Sequence, residues 1–174
     1  MEDIKQYIRS VPDFPKPGVN FYDITTLLQD PVGFCLALDA MERYARSRKP
    51  DRLVVIESRG FVFGGALADR LGVGFALARK PGKLPYTTVS EEYALEYGTD
   101  RLELHEDAVT AGERVLVVDD LIATGGTLAA VCKMIERLGG EVVGVATVIE
   151  LSFLPWREKL HAYDVNYLVS FDSE

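Results

Sequence analysis

The sequence predicts an α/β fold with a mainly parallel central sheet flanked by helices. Three observations predict it. The runs Leu53-Val54-Val55-Ile56 and Val115-Leu116-Val117-Val118 are wholly apolar, as strands covered on both faces of a parallel sheet must be. Other stretches repeat apolar residues every three or four positions, the helical period. The two kinds of segment alternate along the chain.

Taken in order, residues 2–10 read as a short helix, and residues 12–30 as irregular, broken by Pro12, Pro15, Pro17 and Gly18. Residues 31–47 read as a helix with Phe34, Leu38, Met41 and Ala45 on one face. A strand at 52–56 is followed by a helix at 62–71 and a second strand at 73–79. Residues 81–104 are polar, carry Pro81, Gly82, Pro85 and Gly98, and read as an excursion containing a hairpin. The third strand is 115–118. Leu128, Val131, Cys132, Ile135 and Leu138 then form a helical stripe stopped by Gly139-Gly140. Residues 141–149 read as a fourth strand and Asn166 to Val169 as a fifth.

With 174 residues the chain fits one domain, 1–174. No apolar run reaches the roughly 18 residues of a membrane span, and the polar N-terminus, Met1 to Gln6, does not read as a signal peptide. The expected compartment is the cytoplasm. Cys35 and Cys132 read as buried small residues within helices. With only His105 and His161 present, no Cys/His metal cluster can be assembled. Nineteen basic residues against 27 acidic ones give a net charge of −8. That sign argues against nucleic acid as a partner, because a duplex binder must neutralise phosphates.

In doubly wound sheets ligands sit beyond the carboxyl ends of the strands, which directs attention to the residues after Val118. Asp119 and Asp120 leave the strand, and Ala123, Thr124, Gly125, Gly126 and Thr127 lead into the helix at Leu128. Small residues admit a ligand close to the backbone. The first turn of a helix presents free N–H groups and a partial positive charge. Thr124 and Thr127 add hydroxyls. The segment is an anion cradle suited to a phosphate monoester, and the two carboxylates are suited to the paired hydroxyls of a ribose. It is not a Walker loop, since no lysine precedes Thr127. Gly72-Val73-Gly74 begins like a dinucleotide fingerprint, but Leu77 stands at the sixth position and a strand comes next, so it reads as a turn.

Residues 115–127 resemble the phosphoribosyl-pyrophosphate loop of type I phosphoribosyltransferases. Four further blocks are similar to adenine phosphoribosyltransferases: Pro12 to Thr25, Glu57 to Gly64, Arg79 to Pro85, and Leu95-Glu96-Tyr97-Gly98. They occur in the family's order from about residue 11 to 151. The resemblance implies the type I phosphoribosyltransferase fold, with a small N-terminal base-binding hood at about 1–30 and a flexible flap at about 81–104. It implies transfer of phosphoribosyl from 5-phosphoribosyl 1-diphosphate to adenine, giving AMP and diphosphate in purine salvage.

It also implies roles for residues. Asp119 and Asp120 would hold the ribose, and Ala123 to Thr127 the 5′-phosphate. Ser58, Arg59, Arg79, Lys80 and Lys83 would hold the diphosphate, with a cis peptide between Glu57 and Ser58. Glu96 would handle the purine N7 proton and Tyr97 would shield the site. Val19, Asn20, Phe21, Tyr22 and Leu151 would form the adenine site, Phe21 by stacking. The family often has a basic residue where Tyr22 stands and an apolar one where Asn20 stands. Mg²⁺ is implied, held mainly by substrate oxygens rather than by a protein cage, with Asp119 the candidate protein contact. A homodimer is implied, with the basic segment 79–83 near its interface. Two alternatives stay open: a phosphoribosyltransferase for hypoxanthine, guanine or xanthine, and a non-catalytic ligand-sensing regulator.

Overall fold

The alternating burial of successive strand residues divides the interior into two cores. In the computed structural model, which describes residues 4–94 and 98–172, strand β3 (Arg52–Ile56) sends Leu53 and Val55 to one face and Val54 and Ile56 to the other. Strand β7 (Arg114–Val118) divides likewise, with Leu116 and Val118 opposite Val115 and Val117. On the first face lie helices α2 (Pro31–Arg48) and α3 (Gly60–Leu71), inserting Leu38, Met41, Phe63 and Leu67. On the second lies α4 (Gly126–Arg137) with Leu128, Val131, Cys132 and Ile135. Each large apolar side chain removed from water stabilises the fold by about 1.5–3 kcal/mol.

The main sheet is parallel. With β4 (Gly74–Ala78), β9 (Glu141–Leu151) and β10 (Val165–Phe171), its order is β10-β9-β7-β3-β4, and the short β8 (Leu121–Ile122) pairs with β9. The chain runs outward from β3 to β4, then returns to lay β7 on the other side of β3. The order therefore reverses between β3 and β7, and a crevice forms where their carboxyl ends diverge. Strands β5 (Thr88–Ala94) and β6 (Thr99–His105) form an antiparallel hairpin, the one expected within the polar excursion. It packs on the second core through Leu102 and Leu104.

The N-terminal region departs from expectation. Residues 2–10 do not form one helix: a 3-10 turn covers Ile4–Tyr7, and β1 (Arg9–Val11) pairs antiparallel with β2 (Phe21–Asp23). Ile4, Tyr7 and Ile8 pack their side chains against the first core. Arg9 then bonds Asp23 across the two strands. Residues 12–30, expected to be irregular, include β2 and the short α1 (Thr25–Gln29). A second short helix, α5 (Trp156–Leu160), has no counterpart in the sequence pattern. Cys132 is buried as expected, but Cys35 is exposed, because the core-facing stripe of α2 is made by Ala37, Leu38, Met41 and Ala45. Among the described residues no helix is long and apolar enough to cross a membrane.

Candidate active site

The crevice between β3 and β7 opens into a cleft of about 560 Å³. Its walls come from the two turns that leave those strands. After β3 the turn carries Glu57, Ser58 and Arg59 into α3, and the Glu57–Ser58 peptide is cis, as expected. After β7 come Asp119 and Asp120, then the small residues that open α4. The Asp119 N–H donates to the Ala146 carbonyl at 3.1 Å, and the Asp120 carbonyl accepts from Val148 and Ile149 at 3.1 and 3.0 Å. Strand β9 thereby fixes both acids at the sheet end.

The two acids differ in surroundings. Asp120 accepts from Arg59 Nε at 2.5 Å. Asp119 accepts the Asp120 backbone N–H at 2.8 Å, and Gly60 is packed so closely that an added Cβ would lie 2.9 Å from its Oδ1. Burial, and then the charge of Asp120, push the Asp119 carboxyl well above its ordinary 3.8. Burial works against the Arg59 charge, but Asp120 more than offsets it, and the guanidinium stays firmly protonated.

The small-residue segment has the open backbone its composition suggests. Gly125 adopts φ 73°, a left-handed conformation, and no side chain caps the first N–H groups of α4. Ala123, Thr124, Gly125 and Thr127 line the cleft. Trp156 of α5 supports Gly125 from beneath, at 3.1 Å from where a Cβ would stand. Trp156 and Arg157 are in turn held by the buried Glu150 carboxylate, each donating at 2.9 Å. Gly125→Ala should therefore raise the KM for the phosphate-bearing substrate roughly ten-fold, since the left-handed backbone costs about 1–2 kcal/mol and the methyl strikes Trp156. Initial-rate kinetics check this, and an unchanged KM would contradict it.

Of the basic residues expected around the cleft, Arg59 and Lys80 line it and Arg79 and Lys83 do not. Arg79 Nε donates to Glu57 at 3.1 Å, and its Nη1 reaches the Lys83 carbonyl. The N-terminal residues stand nearby. The Arg59 guanidinium lies 5.8 Å from the Phe21 ring centre, and Phe14 meets Phe21 edge-on at 5.3 Å. Tyr22 is turned the other way, buried and stacked on Phe171 at 3.7 Å. Asn20 Oδ1 accepts from Ser10 at 2.7 Å, and both backbone polar groups of Val19 bond within the turn formed by residues 14–19. Leu151 ends β9, half-buried against the first core. Glu96 and Tyr97 lie outside the described residues. Three contributors have no signal in the sequence: Glu57 as an organiser of Arg79 and Lys80, Trp156 as the floor of the loop, and Asp100, which is paired with Lys80. Their partners are remote along the chain, so no local motif marks them.

A parallel sheet whose switch point joins a carboxylate pair to an uncapped, glycine-led helix has the form of a sugar-phosphate site. The phosphoribosyl transferase domain model matches residues 25–168. The adenine phosphoribosyltransferase of Solibacter usitatus is 54% identical over 172 residues, covering 99% of both chains. The solved adenine phosphoribosyltransferase of Thermoanaerobacter pseudethanolicus superposes with a TM-score of 0.93 at 52% identity, covering 97% of this chain and 98% of that one. The enzyme from Saccharomyces cerevisiae, solved with adenine and an imino-altritol bisphosphate, gives 0.91 at 39% identity, covering 95% and 96%. The chain belongs to the adenine phosphoribosyltransferases of the phosphoribosyltransferase family.

Proposed function

We propose that the chain transfers the 5-phosphoribosyl group from 5-phosphoribosyl 1-diphosphate to adenine, giving AMP and diphosphate. The observation that carries this reading is one continuous contact path. Phe21 of the N-terminal segment stands against Arg59, and Arg59 bonds Asp120 of the ribose-phosphate loop. A base stacked on Phe21 would thus face a sugar held by that loop. Family membership and the relatives' activity support the same chemistry.

In this reading Asp119 and Asp120 accept the ribose hydroxyls. Thr124, Thr127 and the N–H groups of residues 123–127 hold the 5′-phosphate. Ser58, Arg59 and Lys80 face the diphosphate, with Arg79 and Lys83 acting from behind through Glu57 and the shared loop. As the C1′–diphosphate bond breaks, the purine N9 forms the new bond and positive charge develops on the ribose. Catalysis rests on positioning and on stabilising the departing diphosphate. Tyr22 is committed to the core, so base-edge readout falls to the backbone of residues 20–22 and to Leu151.

Among the described residues no group of three or more His, Cys, Asp or Glu could cage a metal. Two adjacent carboxylates nevertheless line the cleft, a hard-oxygen set that fits Mg²⁺ completing its shell with substrate oxygens. Asp119 is the protein contact we assign to it. Bound there, Mg²⁺ would neutralise charge on the diphosphate.

We also infer one domain, 1–174, with a hood over about 1–30 and a flap over about 81–104, working in the cytoplasm as a homodimer. Support for the dimer is the exposed Phe75 on the outer strand β4 and the exposed Tyr86.

The roles assigned to Glu96 and Tyr97 are tested by kinetics. Glu96→Gln should lower kcat roughly 100-fold, the ordinary worth of a positioned proton-transfer group, and leave the donor dissociation constant within about two-fold. Unchanged turnover would remove Glu96 from the mechanism.

A further inference from the structure

Arg59, Arg79 and Lys80 each have a carboxylate partner. Asp120 pairs with Arg59, and Glu57 with Arg79. Lys80 pairs with Asp100, Nζ to Oδ2 at 3.0 Å, and Asp100 has no part in the substrate contacts proposed for the site. Asp100 lies on β6, directly across the hairpin from Tyr93. Its Oδ1 accepts the Arg101 N–H at 2.8 Å, and its Oδ2 also accepts the Tyr93 hydroxyl at 3.3 Å. The carboxylate is therefore fixed from three directions, and its side chain is only 25% exposed. Lys80 is anchored at its backbone, where its N–H donates to Glu57 at 3.0 Å. Its side chain is 58% exposed and lines the cleft. A fixed acid thus holds a movable ammonium at the edge of the cavity.

We propose that Asp100 is a positioning residue that shares Lys80 with the diphosphate, and so limits how tightly that group is held and speeds its release. This rests on the reading of Lys80 as a diphosphate contact. An ammonium has three donors and can serve a carboxylate and a phosphate oxygen together. The carboxylate's charge then opposes the incoming polyanion and competes with it for the same proton donors. The pair is partly exposed and screened, so the effect is moderate. The logic suits an enzyme that must grip a diphosphate ester and then let free diphosphate go.

Asp100→Asn keeps the shape, the acceptor for Arg101 and a partner for Tyr93, and removes only the charge. The full-length protein is titrated with inorganic diphosphate by calorimetry. We expect Asp100→Asn to lower the dissociation constant roughly three- to ten-fold, about 0.7–1.4 kcal/mol. Lys80→Met should weaken binding, and in the double variant the gain should vanish. Asp107→Asn, which removes an exposed acid elsewhere, should change nothing. Unchanged or weaker binding in Asp100→Asn, alongside weakened binding in Lys80→Met, overturns the proposal alone. An equal gain in Asp107→Asn overturns it as well, by reducing it to net charge. Wild-type affinity in Lys80→Met overturns the assignment of Lys80 beneath it.

Discussion

Asp119→Asn is expected to cut kcat/KM for the phosphoribosyl donor by about two orders of magnitude and, at the same time, to make the free protein more stable. The first effect follows from the ribose contacts proposed for Asp119, charge-assisted bonds each worth about 1.5–3 kcal/mol. The second comes from burial. Asp119 is 7% exposed and stands beside Asp120. Arg59 bonds Asp120, whereas the hydrogen bond to the Asp119 carboxylate comes from a neutral backbone N–H. Between 3.8 and its raised folded value the folded chain binds a proton that the unfolded chain does not. The stability from this group is therefore present at low pH and is lost as pH rises through that window. The ionised form of Asp119, buried beside a second acid, costs stability, and asparagine removes that cost while keeping an acceptor for the Asp120 N–H. Melting curves should show Tm higher by about 2–4 °C, the response of a chain this size to ~1 kcal/mol. The difference from wild type should shrink as the pH is lowered toward the ordinary carboxylate range. A variant that loses activity and also loses stability would show that Asp119 is chiefly structural.

Gly64→Ala is expected to be the most damaging single methyl in the protein's first core. An added Cβ would lie 2.0 Å from Val55 Cγ1 and 2.7 Å from Val55 Cβ. Val55 cannot move aside: it is fully buried, β-branched, and paired with Leu77 on one side and Val118 on the other. Helix α3 must lift instead, at a cost of about 3 kcal/mol, or ~6–12 °C in Tm. Because Arg59 stands at the start of α3, donor binding should weaken as well. Val55→Ala in the Gly64→Ala background should recover part of the loss. A Tm within about 2 °C of wild type would contradict this packing account.

Locality decides which parts of the molecule can be read from the chain alone. The 115–127 loop carries its strand, its acids and its helix start in thirteen consecutive residues, so order alone reveals the site. The two buried runs and the α4 stripe are legible for the same reason. The N-terminal segment is not, because its folding depends on partners and turns that composition does not display. β1 and β2 have three residues each, and the link between them turns through a cis Phe14–Pro15 bond, Asp13 at φ 57° and Gly18 at φ 86°. Helix α5 has five residues, too few to show a period. Phe21 stands out as the residue proposed to stack on the base, yet its neighbour Tyr22 belongs to the core, since side chains alternate along a strand and one faces Arg59 while the next meets Phe171. The Lys80–Asp100 pair joins residues about twenty apart and becomes visible only when the hairpin folds back.

On the proposed function, the Phe21 segment and the Asp119–Thr127 loop together make an adenine-specific transferase. Incubating the protein with 5-phosphoribosyl 1-diphosphate, Mg²⁺ and, separately, adenine, hypoxanthine, guanine or xanthine, then separating the products, tests it most directly. AMP and diphosphate in equal amounts from adenine, with no nucleotide from the oxopurines, is the predicted result. A nucleotide formed from an oxopurine in preference to adenine, or no nucleotide from any base, would contradict it.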